Sequence, residues 1–311
     1  MSQARIPLLI DTDPGVDDAL AILMAFADPA HEVVGLTIAA GNVGLAHTVA
    51  NALKLCEVAG RDEVPVFPGC AEPLLHAAPD AADVHGADGF GDSGYVRSPR
   101  AADTEHAAQA IVRLAHAHAG RLLLVALGPL TNLALALKLD PALPTRIDRL
   151  VVMGGAVNGR GNITPFAEFN THFDPEAAHL VFEAFPRFDL ADWEATLAHG
   201  LAHADVDAWC GAASPRARFY DAISRKTRAW AGARRGERWH SADALAMAYA
   251  LQPAPAETAI RRLQVALDGP ARGVTLVDWQ GLDRREPNAR ILLRYPQPAF
   301  EARVRQALAA V

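Results

Sequence analysis

Short apolar runs alternate with segments of helical periodicity through most of the chain. Runs typical of buried strands lie at Ile6–Ile10, Val33–Ala39, Leu122–Leu127 and Leu150–Met153. Apolar residues recur at helical spacing in Val16–Phe26, Leu45–Ala59 and Thr131–Leu139. This alternation of β and α units predicts an α/β fold with an open, mainly parallel sheet that is flanked by helices.

The second half of the sequence adds a helix and a hairpin. Asp174 is a favoured N-cap and Pro175 suits the first helical position, which predicts a helix from there to about Ala184. Leu263–Leu267 and Val274–Trp279 flank a turn-forming stretch, and this pattern predicts a C-terminal β-hairpin at the sheet edge.

Residues 76–100 are rich in Gly, Asp, Ala and Pro, with little periodicity. We predict a long surface loop there, and loops of that length in a compact domain are often functional. We find no internal repeat and no low-complexity linker in the 311 residues, so we expect a single domain over residues 1–311.

The composition excludes several classes of protein. Hydrophobic residues make up 51% of the chain, which is typical of a globular protein, and the net charge of −7 disfavours nucleic acid as a partner. The three cysteines have neither disulfide-framework nor zinc-site spacing. The start of the sequence lacks the apolar stretch of a signal peptide, and no segment has the roughly 18 apolar residues needed to span a bilayer. We therefore expect a cytoplasmic protein without membrane contact.

An acidic turn follows the first predicted strand. Four carboxylates, those of Asp11, Asp13, Asp17 and Asp18, fall within eight residues. One or two of them could cap the next helix, but four would repel one another and raise one another's pKa values. A divalent cation would remove that conflict, and Ca²⁺ prefers six to eight oxygen ligands. The turn therefore predicts a metal site at the carboxyl end of a strand, where open parallel sheets bind ligands.

The turn from Asp11 to Ala19 resembles the signature of the inosine–uridine-preferring nucleoside hydrolase family. Other motifs similar to that family follow in order: Ala40–Asn42, Val84–Gly89, Leu127–Ala134, Met153–Gly155, Ala167–Asn170, Asp174–Ala178 and Asp243–Ala246. The resemblance covers about residues 6–250. It implies a Rossmann-like core and Ca²⁺-dependent hydrolysis of the N-glycosidic bond of ribonucleosides, which gives ribose and a free nucleobase for purine or pyrimidine salvage.

The resemblance also implies roles for individual residues. Metal ligands would be Asp13, Asp18, the Leu127 carbonyl and Asp243, and Asp13 would take a proton from the attacking water as general base. Ribose hydroxyls would contact Asp17, Asn42 and Asn170, while Asn162 and Glu168 would hold the 5′-hydroxyl. Met153 would pack beneath the ribose, and His85 would lie beside the base. The resemblance further suggests a homodimer or homotetramer.

One position departs from the family pattern. Members that act on inosine and uridine carry a histidine directly before the late aspartate, and that histidine protonates the departing base. Here Ala242 precedes Asp243, and His240 lies three residues before the aspartate instead of one. Trp230 and Trp239 could instead stack on a purine, or could pack as ordinary amphipathic residues. Two alternatives stay open: hydrolysis of another N-riboside, such as a modified nucleoside or nicotinamide riboside, and nucleoside binding without catalysis.

Overall fold

The computed structural model describes residues 4–78, 81–236 and 238–310. Its strands are β1 (Ile6–Thr12), β2 (His31–Ile38), β3 (Val66–Pro68), β4 (Leu122–Ala126), β5 (Ile147–Met153), β6 (Phe188–Ala191), β7 (Leu201–Ala202), β8 (Arg238–Trp239), β9 (Glu257–Val265), β10 (Thr275–Asp278) and β11 (Ala289–Arg294). Its α-helices are α1 (Val16–Ala27), α2 (Leu45–Val58), α3 (Ala82–His85), α4 (Ala107–Ala117), α5 (Thr131–Leu139), α6 (Phe169–Phe173), α7 (Pro175–Ala184), α8 (Trp193–Ala198), α9 (His203–Cys210), α10 (Pro215–Arg235), α11 (Ala242–Leu251) and α12 (Gln297–Ala309).

Nine of the strands in the described ranges form one sheet, in the order β10-β9-β11-β6-β5-β4-β1-β2-β3. From β11 to β3 every neighbouring pair is parallel, whereas β9 pairs antiparallel with both β10 and β11. The predicted α/β fold is confirmed, and so is the hairpin, which consists of β9 and β10 and lies at the sheet edge.

Helices cover both faces of the sheet, and the side chains of β1 show how. Leu8 and Ile10 point into a core that contains α1 and α11, whereas Leu9 points into a second core that contains α4 and α5. Alternate residues of a strand face opposite sides of the sheet, so a strand buried on both faces must be apolar throughout. This requirement explains the uninterrupted apolar runs from which the strands were predicted.

The loop predicted over residues 76–100 is largely irregular, although the four-residue helix α3 interrupts it. Pro79 and Asp80 of that loop lie outside the described residues. None of the helices that the structure describes is both long and apolar enough to cross a bilayer.

Strand order reverses beside β1, because the chain passes from β1 to β2 on one side and later returns to β4 on the other. Loops that leave adjacent strands in opposite directions open a crevice at the carboxyl edge of a sheet. Asp13, Asn42 and Leu127 follow β1, β2 and β4 at this edge, and Met153 ends β5. The topology therefore brings residues distant in sequence to one site.

Candidate active site

A cavity of about 320 Å³ opens at this edge of the sheet. Ten of the residues predicted from the sequence line it: Asp13, Asp17, Asn42, His85, Leu127, Met153, Asn162, Glu168, Asn170 and Asp243. Asp18 is fully buried beside them. The fold thus gathers the whole predicted set at one place.

The Asp13 carboxylate is enclosed by two motif glycines. A Cβ atom at Gly41 or at Gly128 would collide with the carboxylate of Asp13. The Asn42 amide donates to Asp13 Oδ2 at 2.6 Å, and the Asn42 side chain donates to the Asp13 carbonyl at 3.1 Å. These contacts explain why glycine follows β2 and β4 at the positions where the sequence motifs have it: any side chain there would displace Asp13.

Three further carboxylates converge next to Asp13. Asp17, Asp18 and Asp243 each offer an oxygen atom, and these atoms lie within 4.8 Å of one another. Asp17 and Asp18 are in the first turn of α1, and Asp243 is in the first turn of α11. Asp18 accepts hydrogen bonds from Thr12 Oγ1 at 2.5 Å, from the Gly15 amide at 2.9 Å and from Asn42 Nδ2 at 2.9 Å. The acid cluster, Asp13, Asp17, Asp18 and Asp243, is therefore held by two helix N-termini and a strand end.

Burial and mutual repulsion make this cluster costly to ionise. Burial and then the charge of Asp18 raise the pKa of Asp13 well above its usual value. The pKa of Asp243 is raised in the same way, by burial and by the charges of Asp17, Asp18 and Asp13. Burial and the charge of Asp17 also raise the pKa of Asp18. Among the residues that the structure describes, no lysine or arginine forms an ion pair within 4.0 Å with Asp13, Asp18 or Asp243.

A divalent cation fits this donor set. Two oxygens bound to one Ca²⁺ are at most about 5 Å apart, since each Ca–O distance is roughly 2.3–2.6 Å. The oxygen atoms of Asp17, Asp18 and Asp243 meet that condition. The sequence predicted that Asp17 contacts the ribose and that Asp13 binds the metal. The three carboxylates whose oxygen atoms lie within 4.8 Å of one another include Asp17 instead of Asp13. Asp13 is nevertheless close enough for its charge to raise the pKa of Asp243.

His85 is held in one tautomer at the wall of the cavity. The Val16 amide donates to His85 Nδ1 at 3.2 Å, so a neutral ring carries its proton on Nε2. Burial lowers the pKa of His85 to about 4, although the charge of Asp18 opposes this shift. The imidazole is therefore neutral at pH 7 and can donate one hydrogen bond from Nε2.

Glu168 and Asn170 lie at the start of α6. Glu168 caps that helix and accepts backbone hydrogen bonds from Asn170 at 2.9 Å, Thr171 at 3.2 Å and Gly155 at 2.8 Å. Burial raises the pKa of Glu168 to about 7 against these three donors. Asn170 donates to the Leu127 carbonyl at 2.7 Å, and the Asn162 side chain accepts from the Phe169 amide at 2.8 Å. The two asparagines thus brace the loop as well as facing the cavity.

The model of the family described as inosine-uridine preferring nucleoside hydrolase matches residues 8–302. The chain belongs to the inosine-uridine preferring nucleoside hydrolase family. It is 31% identical over 301 residues to a pyrimidine-specific ribonucleoside hydrolase, RihA, of Salmonella paratyphi C, and this alignment covers 95% of the chain and 96% of that protein.

Two further similarities come from a plant protein and a solved structure. A probable uridine nucleosidase 2 of Oryza sativa is 49% identical over 185 residues, 57% of this chain. The chain spans about half the length of that plant relative, 55%. A solved inosine-guanosine nucleoside hydrolase superposes with a TM-score of 0.92 at 30% identity, and the match covers 99% of this chain and 100% of that chain.

The remaining wall of the cavity contains the residues at which the sequence departs from the family pattern. Ala242 and His240 both line it, and the buried ring of Trp239 lies beside them. Nε2 of His240 is close to Gly200, where a Cβ would lie at 2.8 Å. Trp230 of α10 and Trp239 of β8 both reach the cavity, and so does Trp193, which no sequence pattern indicated. Trp193 follows β6, a short strand that lacked a clear sequence signal.

Proposed function

We propose that this protein hydrolyses the N-glycosidic bond of ribonucleosides and releases ribose and a free nucleobase. The observation that carries the proposal is the acid cluster, four carboxylates gathered in and beneath the floor of one cavity at the carboxyl edge of the sheet. Like charges are rarely brought together in a buried place unless a function requires them. The hydrolase names of the family and of the relatives support the reaction class.

We propose Ca²⁺ as the cofactor, held by Asp13, Asp18, Asp243 and the Leu127 carbonyl, with Asp17 close by. When bound, the cation would orient the ribose diol and lower the pKa of a water molecule. Carboxylate and carbonyl oxygens are the ligands that this hard cation prefers. Its positive charge would also offset the repulsion that raises the pKa values of Asp13 and Asp243.

Asp13 is the general base of the proposed reaction. Its carboxylate is fixed between Gly41 and Gly128 and lines the cavity, so it is ready to accept a proton from water as that water attacks C1′ of the ribose. The transition state of such a cleavage resembles an oxocarbenium ion, and the neighbouring carboxylates stabilise its positive charge.

Asp17, Asn42 and Asn170 are the proposed contacts of the ribose diol, and Met153 packs beneath the sugar. Asn162 and Glu168 would contact the 5′-hydroxyl. Glu168 already accepts three amide protons, yet each carboxylate oxygen has two lone-pair sites, so it retains capacity for a hydroxyl donor.

We place the nucleobase between His85 and the tryptophan-lined wall. Because His85 is neutral and carries its proton on Nε2, it can donate to an oxygen or nitrogen acceptor of the base. Ala242 cannot donate a proton to the leaving group, and this substitution favours a second candidate substrate, another N-riboside with a different leaving group, within the same reaction class.

Ribose release from a panel of nucleosides, with nicotinamide riboside included, tests the proposal. We expect release from at least one ribonucleoside, loss of release in a chelator and recovery when Ca²⁺ is restored. Release from nicotinamide riboside alone would identify the second candidate. Binding of nucleosides without ribose release would contradict the proposed hydrolase and would indicate a binding protein.

Four attributes that accompany this function remain predictions. We propose a cytoplasmic protein that acts in purine or pyrimidine salvage, whose 311 residues form one domain and which assembles as a homodimer or homotetramer. Fractionation of the source cells and light scattering of the purified protein would test the location and the assembly. We propose no nucleic-acid partner, in keeping with the net charge of −7.

A further inference from the structure

The C-terminal hairpin of β9 and β10 contacts the loop that follows β5. The Thr275 hydroxyl accepts from the Ala156 amide at 3.0 Å and donates to the Ala156 carbonyl, also at 3.0 Å. Thr275 is 3% exposed and Ala156 is fully buried. One buried hydroxyl thus satisfies both backbone groups of a loop residue, which ties the loop to the sheet edge.

Thr275 also packs against the residue before Ala156. Gly155 has a φ of +74°, and a Cβ atom there would lie 2.6 Å from Thr275 Cγ2. The Gly155 amide donates to Glu168 Oε2 at 2.8 Å. Thr275 therefore fixes the backbone turn at Gly155 and Ala156, and the Gly155 amide of this turn holds one carboxylate oxygen of Glu168.

Two other residues, Arg272 in the hairpin turn and Trp279 directly after β10, brace the same region. Trp279 Nε1 donates to the Val157 carbonyl at 3.2 Å. Arg272 donates to the His172 carbonyl at 3.2 Å and pairs with Glu176 at 3.2 Å, which secures α6 and the start of α7. The hairpin thus holds both the loop after β5 and the short helix that begins after Glu168.

We propose that Thr275 is a positioning residue, which sets the orientation of the Glu168 carboxylate in the cavity through Gly155 and Ala156. The inference rests on the proposed function, in which Glu168 contacts the 5′-hydroxyl of the ribose. Loss of the Thr275 hydroxyl frees the turn at Gly155, so the contact with the 5′-hydroxyl weakens while the acid cluster is unaffected.

Thr275→Val keeps the shape of the side chain and removes both hydrogen bonds. We compare kcat/KM for uridine or inosine, whichever the parent hydrolyses faster, with kcat/KM for its 5′-deoxy form. The preference of the parent for the 5′-hydroxyl should fall by about tenfold in Thr275→Val, the size expected when a hydrogen bond to a charged group is misplaced. Thr275→Ser keeps the hydroxyl and should restore most of the preference.

Tyr295→Phe is the matched control for stability. Its hydroxyl is also buried and donates to backbone carbonyls, those of Ala248 at 3.2 Å and Gln252 at 3.1 Å, at the end of α11 remote from Asp243. Tyr295→Phe should have a lower melting temperature than the parent but the same kcat/KM preference for the 5′-hydroxyl. An unchanged preference in Thr275→Val, with a loss of stability like that of the control, would overturn the proposal.

Hydrogen exchange of the ligand-free protein separates this inference from the proposed function. The amides of Gly155, Asn170 and Thr171 donate hydrogen bonds to Glu168. Thr275→Val should speed hydrogen exchange at these three amides, and Tyr295→Phe should not. Faster exchange in a protein whose parent releases no ribose would support the positioning of Glu168 and contradict the hydrolase. Unchanged exchange at these three amides would overturn the role of Thr275.

Discussion

Helix α1 has buried acidic residues at both ends, and their pKa values shift in opposite directions. At its N-terminus, burial and the charge of Asp17 raise the pKa of Asp18. Directly after its C-terminus, burial would raise the pKa of Asp28, but hydrogen bonds from His31, Arg303 and the Ala30 amide lower it well below the usual range. Asp28 accepts from Ala30 at 2.8 Å and contacts His31 Nδ1 at 2.9 Å, and it pairs with Arg303.

The difference between the two ends separates a structural acid from acids of the proposed site. A helix dipole favours acids at the N-terminus and disfavours them at the C-terminus, so the helix alone predicts the opposite shifts. The neighbours decide instead: Arg303 pairs with Asp28, whereas the charge of Asp17 acts on Asp18. A buried acid that pairs with a cation contributes to the fold, whereas a buried cluster of like charges is typical of a functional site.

Asp13→Ala should have the largest effect on activity. Removing the general base should lower kcat for nucleoside hydrolysis by about 10³-fold, within the range for such groups, while the fold is retained. Circular dichroism and steady-state kinetics measure the two properties. Asp28→Asn, at the far end of α1, is the control and should hydrolyse nucleosides at the parental rate. Parental turnover in Asp13→Ala would show that the base is assigned wrongly.

Gly128→Ala should have the next largest effect, because its new methyl group collides with the Asp13 carboxylate. A displacement of about 1 Å of a catalytic group lowers activity by about 10²-fold. Gly44→Ala is the matched control, since nothing lies within 4 Å of a Cβ built there. Equal kcat/KM values in the two variants would contradict the tight enclosure of Asp13.

Asp28→Asn should destabilise the protein by about 2 kcal/mol at pH 7, because it leaves Arg303 without its anion. The folded pKa of Asp28 is lowered, so its contribution is complete above the unfolded pKa of about 3.9 and is lost as pH falls below it. Urea unfolding at pH 7 and at lower pH should therefore show a shrinking difference. Asp148→Asn, at an exposed position, should have no effect at either pH.

Asp243→Asn should have the smallest effect on stability, and it should stabilise the protein when a chelator is present. The folded pKa of Asp243 is raised, so its ionisation in the fold costs stability, and this cost grows as pH rises above the unfolded pKa of about 3.9. At pH 8 we expect a gain of about 1 kcal/mol, seen as a melting temperature higher by about 2–4 °C. Added Ca²⁺ should stabilise the parent more than the variant; a variant less stable than the parent in chelator would contradict the cluster's repulsion.

The parts that the sequence predicted well are those with a local cause. Apolar runs buried on both sheet faces identify β1 and β2, and the acids after β1 must lie at the carboxyl edge once the sheet is parallel. That reasoning needs no knowledge of distant contacts, which is why the cavity contains the predicted residues around Asp13.

The parts that the sequence did not predict depend on contacts between distant segments. The strands β6 and β11 are short and interrupted by charged residues: β6 carries Asp189, whose ion pair with Arg149 of β5 forms only in the fold. Trp193 reaches the cavity because it follows β6. Thr275 is 107 residues from Glu168 in sequence, and no local pattern could connect the two.

The most direct test of the account is a crystal of the parent protein grown with Ca²⁺ and measured for anomalous scattering. We predict a calcium peak within roughly 2.3–2.6 Å of carboxylate oxygens of Asp18 and Asp243. An empty position there at saturating Ca²⁺, with the two carboxyl groups hydrogen-bonded to each other instead, would contradict the claim that the cluster binds a cation.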